Sequence, residues 1–357
     1  MKKLIIAALV LICASAAQGQ GIKFRNYTLP EALAQAAKTG KPVMVDCYTG
    51  WCVPCKNMEQ NVFPVKEVGD YFNRNFVCIK MDMEKGEGPE VRGKYGISFF
   101  PTFMLLNADG ELINLMIGFA KPEDFIANTR KAMLSENSLI LKKDNYTKSP
   151  SLATVLPLIE HLQSLSLDIS DVVRGFHAAA PAAEKYDPRF LAKMGGLIDR
   201  LDDPILQDIC INKAVASHYA GESAVNNFIG ERLAAFLAGI AMGTARNTYA
   251  EDVVTRAIGM LNMLPYPVYS HQAHIGKIAD MALRNDWDAM LDYYDAVVSE
   301  LVPHSRSRFD LAGILFMNIS KTGMPEQKER MKAYFEKIAQ QIEELARQYR
   351  NAAEAAG

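Results

Sequence analysis

The chain has 357 residues, 49% of them apolar and 22% charged, and a formal net charge of −2. These values are ordinary for a globular protein and exclude intrinsic disorder. Because no basic stripe or acidic tail stands out, neither nucleic acid nor an anionic membrane surface is indicated as a partner. The length favours two domains over one.

Residues 1–19 have the pattern of an export signal peptide. Lys2 and Lys3 give a positive start, and an apolar run then continues to Ala17 before small residues suited to cleavage. The run is shorter than the roughly 20 residues that span a bilayer, and no later run is long enough either. We therefore expect a mature chain without a membrane span, soluble in an extracytoplasmic space, which is the periplasm in a Gram-negative host.

Residues 20–134 alternate strand and helix patterns in the order β-α-β-α-β-α-β-β-α. This order predicts a mixed sheet with helices on its faces and an antiparallel hairpin at one edge, turning at Asp109-Gly110. The strands are expected at 22–27, 42–48, 76–83, 102–106 and 111–117. The four helical segments are expected at 28–40, at 52–73 with a break near Pro64 that leaves a second helix at 66–73, at 89–95 and at 122–133.

The pattern changes after residue 134. Residues 135–151 are polar and broken, which predicts a linker, and residues 152–357 show helical periods typical of an all-α domain. The stretch 279–294 resembles the helix pair of a tetratricopeptide repeat, but one unit favours a plain bundle and leaves the repeat open. The last helix, 326–353, carries a coiled-coil stripe that we expect to dock on its own domain rather than dimerise.

Cys52 and Cys55 form the motif with the clearest chemistry. A buried strand ends just before Cys52 and a helix begins at it, so unpaired N–H groups and the helix dipole lower the pKa of its thiol. Cys55, one turn inside the helix, can attack a mixed disulfide on Cys52 and release the reduced substrate. We predict a redox-active disulfide that needs no metal and no other cofactor.

Two simpler interpretations of the cysteine pair, a zinc site and a structural disulfide, are less favoured by the sequence. A structural zinc site needs four ligands, and all six histidines lie after residue 160, outside this domain. A purely structural disulfide that closes so short a loop gains little chain-entropy stabilisation. Cys47 and Cys78 are predicted to be core residues on opposite faces of the sheet, and Cys210 to be buried in a helix.

The stretch Trp51-Cys52-Val53-Pro54-Cys55-Lys56 resembles the thioredoxin superfamily. The resemblance implies an α/β thioredoxin-like fold, a mixed sheet with flanking helices, followed here by the all-α helical domain. It also makes Asp46 the buried acid that takes and returns the proton of Cys55. The catalytic residues that it implies are therefore Cys52, Cys55 and Asp46.

The same resemblance covers the surface that would receive a substrate. Phe100-Pro101-Thr102 matches the superfamily's loop with a cis X–Pro bond, which docks substrate backbone, and Gly118 stands where the superfamily keeps a glycine beside the site. Phe100 is bulkier than the usual residue, which is expected to narrow substrate choice. The implied docking residues are Trp51, Pro54, Phe100, Pro101, Thr102 and Gly118.

Within the superfamily, the chain is similar to the periplasmic C-terminal domain of the transmembrane thiol-reductant transporter and to exported proteins grouped with it. Glu59, Phe63 and Gly118-Phe119 add to the cysteine motif in this likeness, whereas Cys78 and Lys80 stand where that group often has one lysine near the buried acid. The likeness implies the transporter as electron donor and disulfide-containing exported proteins as substrates.

The direction of electron flow is inferred from the residues between the cysteines. Oxidants and isomerases of the superfamily commonly carry a histidine there, and Val53-Pro54 lacks one, which favours a reductase. Two alternatives stay open. One is a disulfide isomerase whose helical domain holds unfolded clients. The other is a non-enzymatic scaffold in which the thiol pair only reports the redox state.

Overall fold

The computed structural model describes residues 21–198, 200–244, 249–266, 270, 272–301 and 306–355. The predicted signal peptide at 1–19 lies outside the described residues. Contacts divide the chain into two compact units, Met1–Ala180 and Pro181–Gly357. Among the described residues, none of the helices combines the length and the hydropathy needed to cross a bilayer.

The first unit contains a four-stranded sheet, helices on both of its faces and a helical extension. Its elements are α1 (Leu29–Thr39), β1 (Val43–Tyr48), α2 (Val53–Asn61), α3 (Lys66–Asn75), β2 (Val77–Asp82), α4 (Gly88–Tyr95), β3 (Thr102–Leu106), β4 (Leu112–Ile117), α5 (Pro122–Ala132), α6 (Leu139–Lys148), α7 (Leu152–Ser164) and α8 (Ser170–Ala179).

The strand order across the sheet is β2-β1-β3-β4. β1 runs parallel to β2 and antiparallel to β3, and β3 pairs with β4 as the predicted edge hairpin. The register sets Cys47 beside Met81 on one side and beside Thr102 on the other, and Thr102 beside Ile117. The predicted mixed sheet with flanking helices is therefore confirmed.

The strand expected at 22–27 is wrong. This segment makes a single bridge, from Arg25 to Ile79, and no ladder. Its backbone N–H groups are divided among separate partners: Ile22 donates to the Phe63 carbonyl, Lys23 to the Asn73 side chain and Arg25 to the Cys78 carbonyl. A continuous ladder needs successive bonds to one neighbouring strand, and this segment does not make them.

Local signals explain why the remaining elements form where they do. Thr28 and Glu31 make a reciprocal capping box at the start of α1, and Gly40 ends that helix in the left-handed conformation, with φ 67°. β1 is buried along almost its whole length, as its apolar sequence requires. Cys47 and Cys78 are free, buried and packed on opposite faces of the sheet, as expected.

The segment expected to be a linker, 135–151, is instead part of the first unit. Ser138 caps α6 through a bond from the Leu141 N–H, and the Leu139 side chain is fully buried. The Asn114 side chain on β4 donates to the carbonyls of Ala132 and Asn137, which ties the turn before α6 to the sheet. The contact boundary falls after Ala180 because α6 packs on β4 and on α7.

In the second unit all the regular elements among the described residues are helices, as the sequence predicts. Its helices are α9 (Ala182–Lys185), α10 (Pro188–Met194), α11 (Pro204–Ile211), α12 (Lys213–Ala220), α13 (Glu222–Ala241), α14 (Glu251–Asn262), α15 (Gln272–Leu283), α16 (Trp287–Ala296), α17 (Arg306–Thr322) and α18 (Pro325–Ala355).

Two predictions about this unit have structural counterparts. The helix pair read in the sequence at 279–294 corresponds to α15 and α16, although a repeat array beyond that pair stays a prediction. The first part of α18 docks on α16: the Tyr334 ring meets the Tyr294 ring edge-on at 5.6 Å, and Arg330 donates to Asp292 at 2.7 Å. This part of the last helix therefore packs within its own domain, as expected.

Candidate active site

The cysteine pair lies where β1 gives way to α2. Cys52 is the N-cap of α2, with extended backbone, and its sulfur accepts a hydrogen bond from the Cys55 N–H at 3.1 Å. Pro54 sits in the first turn, where no backbone donor is needed. This placement stabilises a thiolate on Cys52, because the Cys55 N–H donates to its sulfur and the positive end of the helix dipole lies beside it.

Cys52 and Cys55 are joined as a disulfide, with an S–S distance of 2.06 Å and a Cα–Cα distance of 5.3 Å. Both side chains are largely covered, with 2% of Cys52 and 7% of Cys55 exposed. The two cysteines that the sequence motif identified are therefore covalently bonded.

Asp46 is buried on β1 behind this turn, and its Oδ1 has no hydrogen-bond partner among the described residues. Burial raises the pKa of Asp46 to about 7, with a lowering contribution from Lys80 and a smaller raising one from Glu59. A carboxyl group that titrates near neutral pH can both accept and return a proton under physiological conditions. This property suits the role predicted for Asp46.

Lys80 and Glu59 form a charged pair beside Asp46. The β1–β2 register sets Lys80 opposite Asp46, and the Lys80 Nζ donates to Glu59 at 2.5 Å. The ammonium also lies 5.2 Å from the centre of the Tyr48 ring. Cys78 and Lys80 both stand near the position where the similar proteins often have a lysine. In this register Lys80 is the one beside Asp46, whereas Cys78 pairs with Met44.

The segment around Pro101 borders the cysteine turn from the other side. The Phe100–Pro101 peptide bond is cis. Gly118, with φ 93°, donates its N–H to the Pro101 carbonyl at 2.8 Å, and the Thr102 hydroxyl donates to the Phe99 carbonyl. Because Thr102 pairs with Cys47 at the end of β1, this loop lies at the same end of the sheet as the cysteines.

Trp51 and Phe100 meet beside the disulfide. Their rings are edge-on at 6.1 Å, and the Trp51 indole donates to Glu84 at 2.9 Å although the ring is 65% exposed. The Arg92 guanidinium lies 5.3 Å from the centre of the Phe100 ring. The structure thus brings two predicted docking residues together and adds two supports, Glu84 and Arg92, that sequence reasoning missed.

More exposed apolar side chains stand on the segments that form the site. They precede the cis proline, flank Gly118 and open α2, and they are Phe99, Ile117, Phe119 and Val53. Exposed apolar clusters of this kind are typical of surfaces that receive a protein partner. Their exposure could not be read from the sequence, because isolated apolar residues in loops are as often buried.

Comparison with known proteins fits this geometry. The family model of the thioredoxin-like domain matches residues 29–132. Thioredoxin 1 of Synechococcus elongatus is 32% identical over 88 residues, which are 25% of this chain and 76% of that protein. The chain belongs to the thioredoxin superfamily.

Two further relatives of this thioredoxin-superfamily chain are informative. The thiol:disulfide interchange protein DsbD of Vibrio cholerae is 34% identical over 102 residues, 28% of this chain but only 17% of DsbD. A Bacteroides thetaiotaomicron protein provisionally assigned as a disulphide-isomerase has a solution structure that is 44% identical. That match covers 33% of this chain and 98% of the other, with a TM-score of 0.32. Each match covers no more than a third of this chain.

A thiol–disulfide oxidoreductase fits this thioredoxin-superfamily domain and its Cys52–Cys55 pair. In the part of the chain that the structure describes, no group of three or more His, Cys, Asp and Glu residues could hold a metal ion. The other three thiols among the described residues, Cys47, Cys78 and Cys210, are poor nucleophiles at neutral pH. Burial raises the pKa of Cys78 to about 12 and that of Cys210 to about 11, and it raises that of Cys47 well above its ordinary value.

Proposed function

We propose that this chain is an exported protein-disulfide reductase that acts through the Cys52–Cys55 dithiol. The observation that carries the proposal is the position of Cys52. It caps α2 with its sulfur on a first-turn N–H, and the buried Asp46 carboxyl, with a pKa of about 7, lies behind the same turn. Structural disulfides do not need either arrangement.

The reaction follows from these positions. In the reduced protein, the Cys52 thiolate attacks one sulfur of a client disulfide, and the other client sulfur leaves as a thiolate that takes up a proton. The Cys55 thiol then gives its proton to Asp46, and the resulting thiolate attacks the Cys52 sulfur. The client cysteine leaves as a thiolate and takes the proton back from Asp46. Two electrons have then moved to the client, and Cys52–Cys55 is left as the disulfide.

Return to the dithiol requires a donor of two electrons. We propose a membrane thiol-reductant transporter as that donor, because the likeness to DsbD concerns the domain that carries the cysteines. Export rests on the signal pattern of residues 1–19, and client proteins in the same compartment are the corresponding substrates. The absence of a histidine between the cysteines supports reduction rather than isomerisation.

A trapping experiment tests the proposed chemistry. The reduced Cys55→Ser protein should accumulate a mixed disulfide between Cys52 and its clients, because the resolving sulfur is absent. Cys52→Ser should trap nothing. Cys210→Ser, a thiol in the second unit, should behave as wild type. Adducts are read by mass spectrometry after alkylation in periplasmic extract. Equal adduct formation with Cys52→Ser would contradict the proposal.

A further inference from the structure

A cavity of about 520 Å³ opens beside the edge strand β4, within the first unit. Its lining includes the apolar side chains of Leu115 and Ile117 from β4 and Pro157 from α7, and three basic side chains, Lys131, Lys142 and His161, which are called its rim below. The family match ends at residue 132, so α6 and α7 are additions to the thioredoxin-like domain. This chain has therefore built one wall of the cavity from its own extension.

The cavity adjoins the cysteine site at Ile117 and Gly118. Ile117 lines it and immediately precedes Gly118, which bonds to the carbonyl of the cis proline Pro101. The registers Cys47–Thr102 and Thr102–Ile117 set Ile117 two strands away from β1. At about 4.8 Å between strands, that is roughly 10 Å across the sheet. This span starts from Cys47, at the end of the strand that leads into the cysteine turn, and an extended polypeptide crosses it in about three residues, at roughly 3.3 Å per residue.

The backbone of Ile117 is oriented to receive such a chain. Antiparallel pairs alternate between bonded and non-bonded residues, and the Gly118–Pro101 bond makes Gly118 a bonded position. The N–H and C=O of Ile117 therefore face away from β3, toward the edge that no other strand of the described sheet occupies. The N–H and C=O of Ile117 can therefore hydrogen-bond the backbone of a client segment that reaches this edge.

The rim of the cavity is positively charged. Lys131 and Lys142 have no carboxylate within ion-pair distance among the described residues, whereas Lys148, on the same helix as Lys142, is paired with Asp144 at 2.6 Å. Glu160 is the single acidic residue of the lining. Burial, with a smaller contribution from Lys142, keeps the pKa of His161 below its ordinary value, so the positive charge at neutral pH comes from the lysines.

We propose that this cavity is a client subsite that binds an acidic side chain of the polypeptide being reduced. The acidic residue lies about four to six residues from the client cysteine: about three residues to Ile117, then one to three more to the lysine rim. The inference rests on the proposed function, since the client is held through Cys52. It adds a substrate class, extended segments with an acid at that spacing, which the cysteine motif does not specify.

The test compares two extended peptides that carry one cysteine as a mixed disulfide with glutathione. One has glutamates at the fourth to sixth positions on both sides of the cysteine, and the other has glutamines there. Wild-type protein should reduce the glutamate peptide with a kcat/KM about two- to fivefold higher, the range for exposed charge pairs, and added salt should erase the difference. Lys131→Gln/Lys142→Gln should lose the preference, while Lys148→Gln should keep it.

A second readout separates this inference from the proposed function. Fluorescence anisotropy with the Cys52→Ser/Cys55→Ser protein measures binding of the same peptides, with their cysteine as the free thiol, and needs no reaction. Tighter binding of the glutamate peptide that disappears in the two-lysine variant supports the subsite even if neither peptide is reduced, a result that would overturn only the proposed function. Equal affinity for both peptides, or a preference that survives the loss of both lysines, would overturn the subsite.

Discussion

The raised pKa of Asp46 makes a quantitative prediction about stability. Burial moves the pKa of this carboxyl from 3.8 to about 7, so the folded protein favours the protonated form over the ionised one. The folded state keeps its full stability below pH 3.8, where Asp46 is protonated in both the folded and the unfolded chain. Stability is then lost as the pH rises toward 7, because the unfolded carboxyl ionises and the folded one does not. At pH 8 the ionised, buried Asp46 therefore costs about 4 kcal/mol, since each pKa unit is worth about 1.4 kcal/mol.

Asp46→Asn removes this titration while keeping the shape of the side chain. At pH 5 the unfolded Asp46 is ionised and the folded one is protonated, so the cost is only about 2 kcal/mol. The free energy of unfolding of the variant, relative to wild type, should therefore be about 2–3 kcal/mol more favourable at pH 8 than at pH 5. Any constant effect of the substitution cancels in this difference.

Urea denaturation of the oxidised proteins in a Trp287→Phe background, followed by Trp51 fluorescence, measures the difference. Asp109→Asn, in the turn between β3 and β4, is the matched control because this aspartate is exposed, and its stability relative to wild type should not change with pH. A relative stability of Asp46→Asn that is the same at pH 5 and pH 8 would refute the reasoning, since it would mean that the buried carboxyl does not change its protonation on unfolding.

Three other predictions concern the surroundings of the site. Lys80→Met should raise the pKa of Asp46 and Glu59→Gln should lower it, as read from its carboxyl resonance in an NMR titration; shifts in the same direction would contradict the charge assignment. Gly118→Ala should lower the free energy of unfolding by about 1–2 kcal/mol. The new Cβ meets open space, so the loss comes only from backbone strain at a φ of 93°. Leu139→Ala should lower the free energy of unfolding by about 2–5 kcal/mol, in the same transition that Trp51 reports. If residues 135–151 were a free linker, the substitution would not change this free energy.

The parts of the fold that the sequence predicts correctly are those with a local physical cause. Thr28 and Glu31 can only satisfy each other at a helix start, and Asp109-Gly110 between two apolar runs predicts a hairpin. Cys52 is identified as an N-cap because a buried strand ends just before it. Each of these signals lies within a few residues of the element that it determines.

The errors and omissions depend on contacts between distant residues. The stretch 139–148 is polar enough to suggest a loop, and only the burial of Leu139 in the first unit explains the helix. The strand expected at 22–27 fails because its donors find three different partners. The Lys80–Glu59 pair joins β2 to α2, so it depends on a strand register that one sequence does not specify.

The reduction potential of the Cys52–Cys55 pair tests the central claim most directly. It is obtained by equilibrating the purified mature protein with glutathione or dithiothreitol buffers and quantifying the free thiols of the pair. A reductase fed by a membrane donor predicts a value on the order of −250 mV or lower, near the thioredoxin end of the scale. A value of roughly −120 to −180 mV would contradict the claim and identify an oxidase or an isomerase.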